Sequence, residues 1–181
     1  DLDRVLELAK KTTESIRVGN PRDPDTLLGP LSNPLQYQRV QDYIHMGIQE
    51  GAQVLIGGPG RPTHLDTGYF VQPTVFYEVN NQMTIAQEEI FGPVLCIITY
   101  DNVDEAINMA NDTAYGLAAY VSGDRDTAKK VAYQLKAGRV HINFSGKDFL
   151  LPAGGYKQSG NGREWGIYGF EELLETKTIT G

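Results

Sequence analysis

Apolar residues recur at steps of three and four positions in several parts of the chain, and this spacing predicts amphipathic α-helices. The first helix is predicted over residues 2–16. The second begins after Asn33, whose side chain can cap it, with Pro34 at the first helical position, where no backbone donor is missed. Further helices are predicted to begin at Asn102, at Asp124 and near Trp165.

Short apolar runs between the helices predict β-strands, and the run over residues 94–100 is nearly continuous, as is usual for a strand covered on both faces. The other predicted strands are residues 53–56, 69–77 with an interruption at Pro73, 117–122, 139–143 and 176–180. From residue 94 onward strands alternate with helices, an order that calls for parallel pairing. The sequence therefore predicts an α/β fold with a mainly parallel sheet and helices on both faces.

One connection is much longer than the rest. Residues 144–162 form a glycine-rich loop, whereas ordinary connections have a median of about 4–6 residues. The loop follows the carboxyl end of the predicted strand 139–143, and in parallel sheets ligands gather at that end. We therefore expect this loop to contribute to a functional site.

Composition excludes several classes of function. The chain has 181 residues, 16 of them basic and 23 acidic, for a formal net charge of −7. Without a Lys/Arg-rich run, this balance argues against a nucleic-acid partner and against a membrane surface. No apolar stretch approaches the roughly 20 residues that cross a bilayer. The single cysteine excludes a disulfide framework and a Cys-based zinc site, so a reducing, cytoplasmic location is expected.

Taken singly, the chemically active residue types favour structural roles. Cys96 lies in an apolar strand without a neighbouring base, and His141 alternates with apolar strand residues. The loop at residues 155–163 fails the Walker pattern. Glu89 and Phe91 offer a carboxylate that can accept two hydrogen bonds from a vicinal diol and a ring that can back a flat heterocycle. A solvated glutamate and a core phenylalanine would look the same in isolation.

The motifs taken together indicate a function more specifically than any single residue does. The hallmark is the run T-I-A-Q-E-E-I-F-G-P-V at residues 84–94. Supporting motifs are G-N-P at 19–21, G-P at 29–30, G-Y-F-V-Q-P-T at 68–74, the segment 111–118 and G-G-Y-K-Q-S-G at 154–160. In this order they resemble the C-terminal, catalytic-domain part of the aldehyde dehydrogenase superfamily, over nearly the whole chain.

The resemblance implies that residues 1–181 are the C-terminal catalytic domain of a longer protein, consistent with a first residue, Asp1, that is not Met. The NAD(P)-binding domain and the nucleophilic cysteine would lie upstream. The implied reaction oxidises an aldehyde to a carboxylic acid through a thioester intermediate, with NAD or NADP as hydride acceptor. The fragment alone is expected to be inactive. The full-length protein is expected to form a homo-oligomer, a dimer or tetramer, and to pair with its own N-terminal domain.

Roles at the cofactor follow from the same resemblance. Glu89 matches the glutamate that holds the nicotinamide ribose hydroxyls, Phe91 matches the aromatic residue beside the nicotinamide, and Leu117 matches a residue near the same ring. Glu164 matches a glutamate placed as a proton relay behind the general base.

The substrate pocket and an ion site follow in the same way. Asn143 ends the strand that leads into the substrate loop, and the pocket candidates within the loop are Phe144, Phe149 and Ala153. Lys157 and Gly160 match positions that in some members offer backbone oxygens to an intersubunit potassium ion.

Ala153 departs from the aromatic residue that many members carry there, which predicts a widened pocket and a bulkier aldehyde. Two other functions stay open at this point. One is a CoA-acylating or semialdehyde-type relative, and the other is a non-catalytic assembly or binding module. The identity of the aldehyde and the choice between NAD and NADP lie beyond the sequence.

Overall fold

A computed structural model describes residues 1–146 and 148–181. The chain divides into two compact units, Asp1–Thr99 and Tyr100–Gly181, each with its own sheet. Within the described residues, every helix is too short or too polar to cross a membrane.

The first unit is an α/β arrangement around a three-stranded sheet. Its elements are α1 (Leu2–Glu14), α2 (Pro34–Gln49), β1 (Gln53–Ile56), β2 (Thr74–Tyr77), α3 (Thr84–Gln87) and β3 (Val94–Cys96). The central strand β2 pairs antiparallel with β1 and parallel with β3.

Helix α2 anchors the core of this unit. The Asn33 side chain accepts a hydrogen bond from the Gln36 backbone N–H at 2.8 Å, so the helix begins at Pro34 as its capping sequence predicts. One face of α2 then places Val40 and Ile44 fully inside the core, against Phe76 of β2. The neighbouring face of the same helix, which carries Gln36 and Arg39, reaches the segment that follows α3.

The second unit carries two parallel strands between its helices. Its elements are α4 (Val103–Asn111), β4 (Ala118–Val121), α5 (Arg125–Ala132), β5 (Arg139–Ile142), a 3-10 turn named η1 (Lys157–Ser159) and α6 (Gly166–Glu171). Strands β4 and β5 pair in parallel, from Ala118 opposite Arg139 to Val121 opposite Ile142.

The caps of α4 and α5 match the sequence prediction. Asn102 accepts from the Glu105 N–H at 2.9 Å, and the Glu105 carboxylate accepts at 2.7 Å from the N–H of Asp101, one residue before the cap, so the arrangement is similar to a capping box. Asp124 accepts from the Thr127 N–H at 3.0 Å. The Thr127 hydroxyl also donates to Asp124 at 3.0 Å, and the two bonds from Thr127 lower the pKa of the Asp124 carboxyl below its ordinary value.

The predicted fold class is confirmed, because the chain alternates helices with parallel strand pairs. Several details were wrong. Residues 69–73 form no strand, so the predicted region 69–77 contains only β2. Strand β3 ends at Cys96 rather than at residue 100, and the predicted strands are divided between two sheets instead of one. Residues 176–180 are exposed and form no strand, because no described segment pairs with them in a ladder.

Candidate functional site

In the first unit, the turn between α3 and β3 presents Phe91 to solvent. The Phe91 ring is 73% exposed, and its backbone φ of +58° lies in the left-handed region. Left-handed backbone costs a residue with a side chain roughly 1–2 kcal/mol. An exposed aromatic residue in such a conformation is a feature that surrounding structure must maintain, and strained residues of this kind cluster at functional sites.

Two side chains of α2 hold this turn by its carbonyl groups. Gln36 Nε2 donates to the Phe91 carbonyl at 2.9 Å and to the Ile90 carbonyl at 3.2 Å. Arg39 Nη2 donates to the Glu89 carbonyl at 2.8 Å. Three consecutive carbonyls therefore point at one helix, which fixes the path of the backbone.

The two adjacent glutamates have different environments. The Glu88 carboxylate accepts from the buried Tyr43 hydroxyl at 2.5 Å. The Glu89 side chain is exposed, and within residues 1–146 and 148–181 it makes neither a hydrogen bond nor an ion pair. Glu88 therefore has a structural partner, whereas Glu89 has both carboxylate oxygens available for a ligand. An acceptor carboxylate beside an exposed ring fits the ribose and the flat ring of a nicotinamide nucleotide.

In the second unit, β5 ends in two consecutive residues with left-handed backbone, Asn143 (φ +50°) and Phe144 (φ +58°). The Asn143 side-chain amide exchanges two hydrogen bonds with the Gly123 backbone, at 2.9 Å and 3.0 Å. Phe144 is 86% exposed. Asn143 thus ties the end of β5 to the loop after β4, and Phe144 is presented outward by the same turn.

The glycine-rich loop at residues 144–162 is described except for Lys147, which lies outside the described residues. Phe149 packs edge-on against Trp165, with ring centroids 4.6 Å apart, and the Arg139 guanidinium lies over the same indole at 4.8 Å. Phe149 is therefore fixed by an aromatic contact while most of its surface remains exposed.

A cavity of about 420 Å³ in the second unit brings three of the predicted residues together. Its lining includes Leu117, Ala153 and Glu164. Ala153 and Glu164 are held side by side by a pair of backbone hydrogen bonds, each 2.7 Å long. Phe144 and Phe149 do not line this cavity. Of the residues predicted to form the substrate pocket, Ala153 therefore lines this cavity, whereas Phe144 and Phe149 are exposed aromatic residues outside it.

The predicted potassium positions lie in and after η1. The Lys157 ammonium donates to the Asn111 and Thr113 carbonyls at 2.7 Å and 2.9 Å, so the side chain secures the turn. The Lys157 carbonyl faces the Gly160 N–H at 3.5 Å, and Gly160 has a φ of +125°. The potassium role of these backbone oxygens stays a prediction.

Cys96 and His141 have the structural surroundings expected of them. Cys96 is half-buried at the end of β3, its thiol lies 3.6 Å from the Ile85 carbonyl, and burial raises the pKa of that thiol to about 11. Such a thiol is a poor nucleophile near neutral pH. His141 is buried, stacks on Tyr120 at 4.8 Å and contacts the Ser145 carbonyl at 3.2 Å.

Sequence reasoning missed Gln36 and Arg39. Their spacing of three places them on one face of α2, a signal that is visible in the sequence. Their partners lie 50 to 55 residues further along the chain, so only the folded structure shows what that face holds.

Comparisons with known proteins agree with this fold and these motifs. The model of the aldehyde dehydrogenase family matches residues 2–179. A Staphylococcus aureus (strain USA300) protein whose name assigns it to the aldehyde dehydrogenases is 56% identical over 180 residues, which are 99% of this chain and 38% of that protein.

Solved structures show the same likeness. A mutant of Pseudomonas syringae aldehyde dehydrogenase C, in complex with NAD⁺ and octanal, matches with a TM-score of 0.96 and 52% identity over 98% of this chain and 37% of that one. A Mycobacterium tuberculosis aldehyde dehydrogenase complexed with NAD⁺ matches with a TM-score of 0.90 and 45% identity over 98% and 38%.

These matches place the chain in the class of α/β proteins that its own elements define. The chain belongs to the aldehyde dehydrogenase family, as its motifs predict. It spans about 38% of the length of the curated relatives that it matches.

Proposed function

We propose that this chain is the C-terminal catalytic-domain part of an NAD-dependent aldehyde dehydrogenase that oxidises an aldehyde to a carboxylic acid. The observation that carries the proposal is the exposed carboxylate of Glu89, which has no partner among the described residues, beside the exposed ring of Phe91 on one clamped turn. Family membership and two relatives crystallised with NAD⁺ support it, and they favour NAD over NADP.

In this proposal, Glu89 and Phe91 bind and orient the nicotinamide riboside. A carboxylate accepts from both hydroxyls of a vicinal diol, and an aromatic ring restrains a flat heterocycle by stacking or edge contact. Leu117 supplies apolar contact to the same ring. The bound dinucleotide supplies the hydride acceptor. The Gln36 and Arg39 contacts keep the turn from moving when the ligand leaves.

In the second unit, Ala153 shapes the aldehyde cavity, and Glu164 holds an exposed carboxylate at its wall, where it can pass a proton to a neighbouring base. Asn143, Phe144 and Phe149 contribute the remaining surface for the substrate. The P. syringae relative was crystallised with octanal, which supports a long, apolar aldehyde as a test substrate.

An apolar groove in the first unit supports the proposal of an upstream domain. The groove has a volume of about 600 Å³ and lies between α1 and strands β2 and β3. None of the residues of α1 is buried, and Val5 and Leu8 remain about half exposed. Apolar faces of this kind are normally covered. The chain spans about 38% of its curated relatives, and we propose that the upstream NAD-binding part of the same protein covers the groove.

The complete gene product that carries this chain tests the function directly. With octanal and NAD⁺ we expect formation of NADH and octanoic acid, with slower turnover on NADP⁺. The isolated 181-residue chain should show neither. Formation of acyl-CoA only when CoA is added would indicate the acylating relative instead. A complete gene product that binds no nicotinamide nucleotide would contradict the proposal and favour a non-catalytic module.

Replacing Ala153 with phenylalanine should narrow the aldehyde cavity. The added ring would occupy part of the 420 Å³ space beside Leu117 and Glu164. We expect the ratio of kcat/KM for bulky over short aldehydes to fall about tenfold, because contacts in apolar pockets discriminate by 10- to 200-fold. Ala153→Ser, which barely changes the volume, is the control. An unchanged ratio in Ala153→Phe would show that Ala153 does not set substrate size.

A further inference from the structure

We infer that Gln36 and Arg39 are positioning residues for the cofactor contact, because they clamp the backbone of residues 89–91. The inference rests on the proposed function of Glu89 and Phe91. It adds the helix face that keeps those two side chains in a binding-competent arrangement.

The clamp is built from one helix face and three consecutive carbonyls. Gln36 and Arg39 are three residues apart on α2, so both side chains project toward the same turn. Among the described residues, the hydrogen bonds to the carbonyls of residues 89, 90 and 91 come from these two side chains. Buried Ile90 pins the centre of the segment from the core side.

Arg39 is itself held in place. Its Nη2 also lies 3.0 Å from the Tyr43 hydroxyl, and its guanidinium sits over the Tyr43 ring at 5.0 Å. Tyr43 in turn donates to Glu88. The side chain that fixes the Glu89 carbonyl is therefore pre-organised by the neighbouring glutamate, which leaves the Glu89 carboxylate unengaged within the described part of the chain.

The backbone of Phe91 explains why a clamp is needed. Its φ of +58° is disfavoured for a residue with a β-carbon, and Gln36 bonds the carbonyl of this same residue. Without that bond, the turn would spend part of its time in relaxed conformations that aim the ring and the carboxylate elsewhere. Apparent cofactor affinity falls by the fraction of molecules that leave the competent state.

The test uses Gln36→Met in the complete gene product. Methionine keeps the length and helix propensity of glutamine but cannot donate to a carbonyl. We expect kcat/KM for NAD⁺ to fall about tenfold, through a higher KM for NAD⁺, while the KM for octanal is unchanged. The matched control is Gln38→Met, the same change on the same helix, where the side chain bonds Asp42 at 2.8 Å and does not reach the turn.

A double-mutant cycle separates positioning from a general structural effect. Glycine adopts positive φ without the steric penalty of a β-carbon, so in a Phe91→Gly background the bond from Gln36 has no strain to offset. The loss caused by Gln36→Met should then shrink from about tenfold to below about threefold. A loss of the same size in both backgrounds would overturn the inference.

Arg39 provides an independent pair of variants if Gln36→Met folds poorly. Arg39→Lys keeps a donor for the Glu89 carbonyl and should retain most of the affinity for NAD⁺, whereas Arg39→Met should lose it. Equal behaviour of the two variants would count against the clamp. An active wild-type enzyme in which Gln36→Met matches Gln38→Met overturns this inference alone. A complete gene product without NAD-linked activity overturns the proposed function and the inference together.

Discussion

Glu89→Gln in the complete gene product should lower kcat/KM for NAD⁺ by about 10- to 100-fold and leave thermal unfolding unchanged. Hydrogen bonds to a charged group contribute about 1.5–3 kcal/mol, and the amide replaces one of two acceptor oxygens with a donor. Stability should not change, because the Glu89 carboxylate has no partner among the described residues. Steady-state kinetics with varied NAD⁺ and a thermal melt of the same preparations measure both quantities.

The neighbouring glutamate is the matched control for this prediction. Glu88→Gln makes the same chemical change one residue earlier, where the side chain accepts from the Tyr43 hydroxyl. The new amide oxygen can still accept that bond, so cofactor kinetics should stay near wild type. If Glu88→Gln impairs the use of NAD⁺ as much as Glu89→Gln does, the effect is one of local charge rather than of binding by Glu89.

Local features of the fold followed directly from the sequence. The caps Asn33 and Asp124 were predicted correctly because a short polar side chain bonds the backbone two or three residues away. Strand β1 was predicted with its observed limits, and α2 begins at Pro34 as predicted. Such features depend on residues that are close together in the chain, so the local sequence is enough to predict them.

Features that depend on contacts between residues far apart in the chain could not be predicted from the sequence. Phe91 has a left-handed backbone and its carbonyl accepts from Gln36, 55 residues earlier, and no local pattern at residue 91 indicates either feature. Residues 176–180 have the composition of a strand but lack a pairing partner within the described chain. The motif resemblance supplied the identities of Leu117, Ala153 and Glu164, whereas the backbone pairing that holds two of them at one cavity was visible only in the structure.

Close backbone packing beneath that cavity gives the largest expected effect on stability. Gly138 lies just before β5, and its N–H donates to the Gly116 carbonyl at 2.9 Å. A β-carbon added at Gly138 would overlap the carbonyl oxygen of Gly154, next to Ala153. Because the obstruction is a backbone atom rather than the end of a flexible side chain, the second unit can accommodate the added β-carbon only by moving its main chain.

Gly138→Ala should therefore destabilise the protein by about 3 kcal/mol, at the upper end of typical overpacking costs. A thermal melt of the complete gene product should show the transition that includes the second unit at a clearly lower temperature than in wild type. The matched control is Gly146→Ala, where an added β-carbon meets no atom of the described, non-adjacent residues within 4 Å and φ lies outside the left-handed region. Any Gly138→Ala protein that remains folded should also show a higher KM for aldehyde, since relieving the overlap requires Gly154, and with it Ala153, to move. A melting temperature equal to that of Gly146→Ala would mean that the contact between residues 138 and 154 is looser in solution than the structure shows, and that the cavity wall is not rigidly placed.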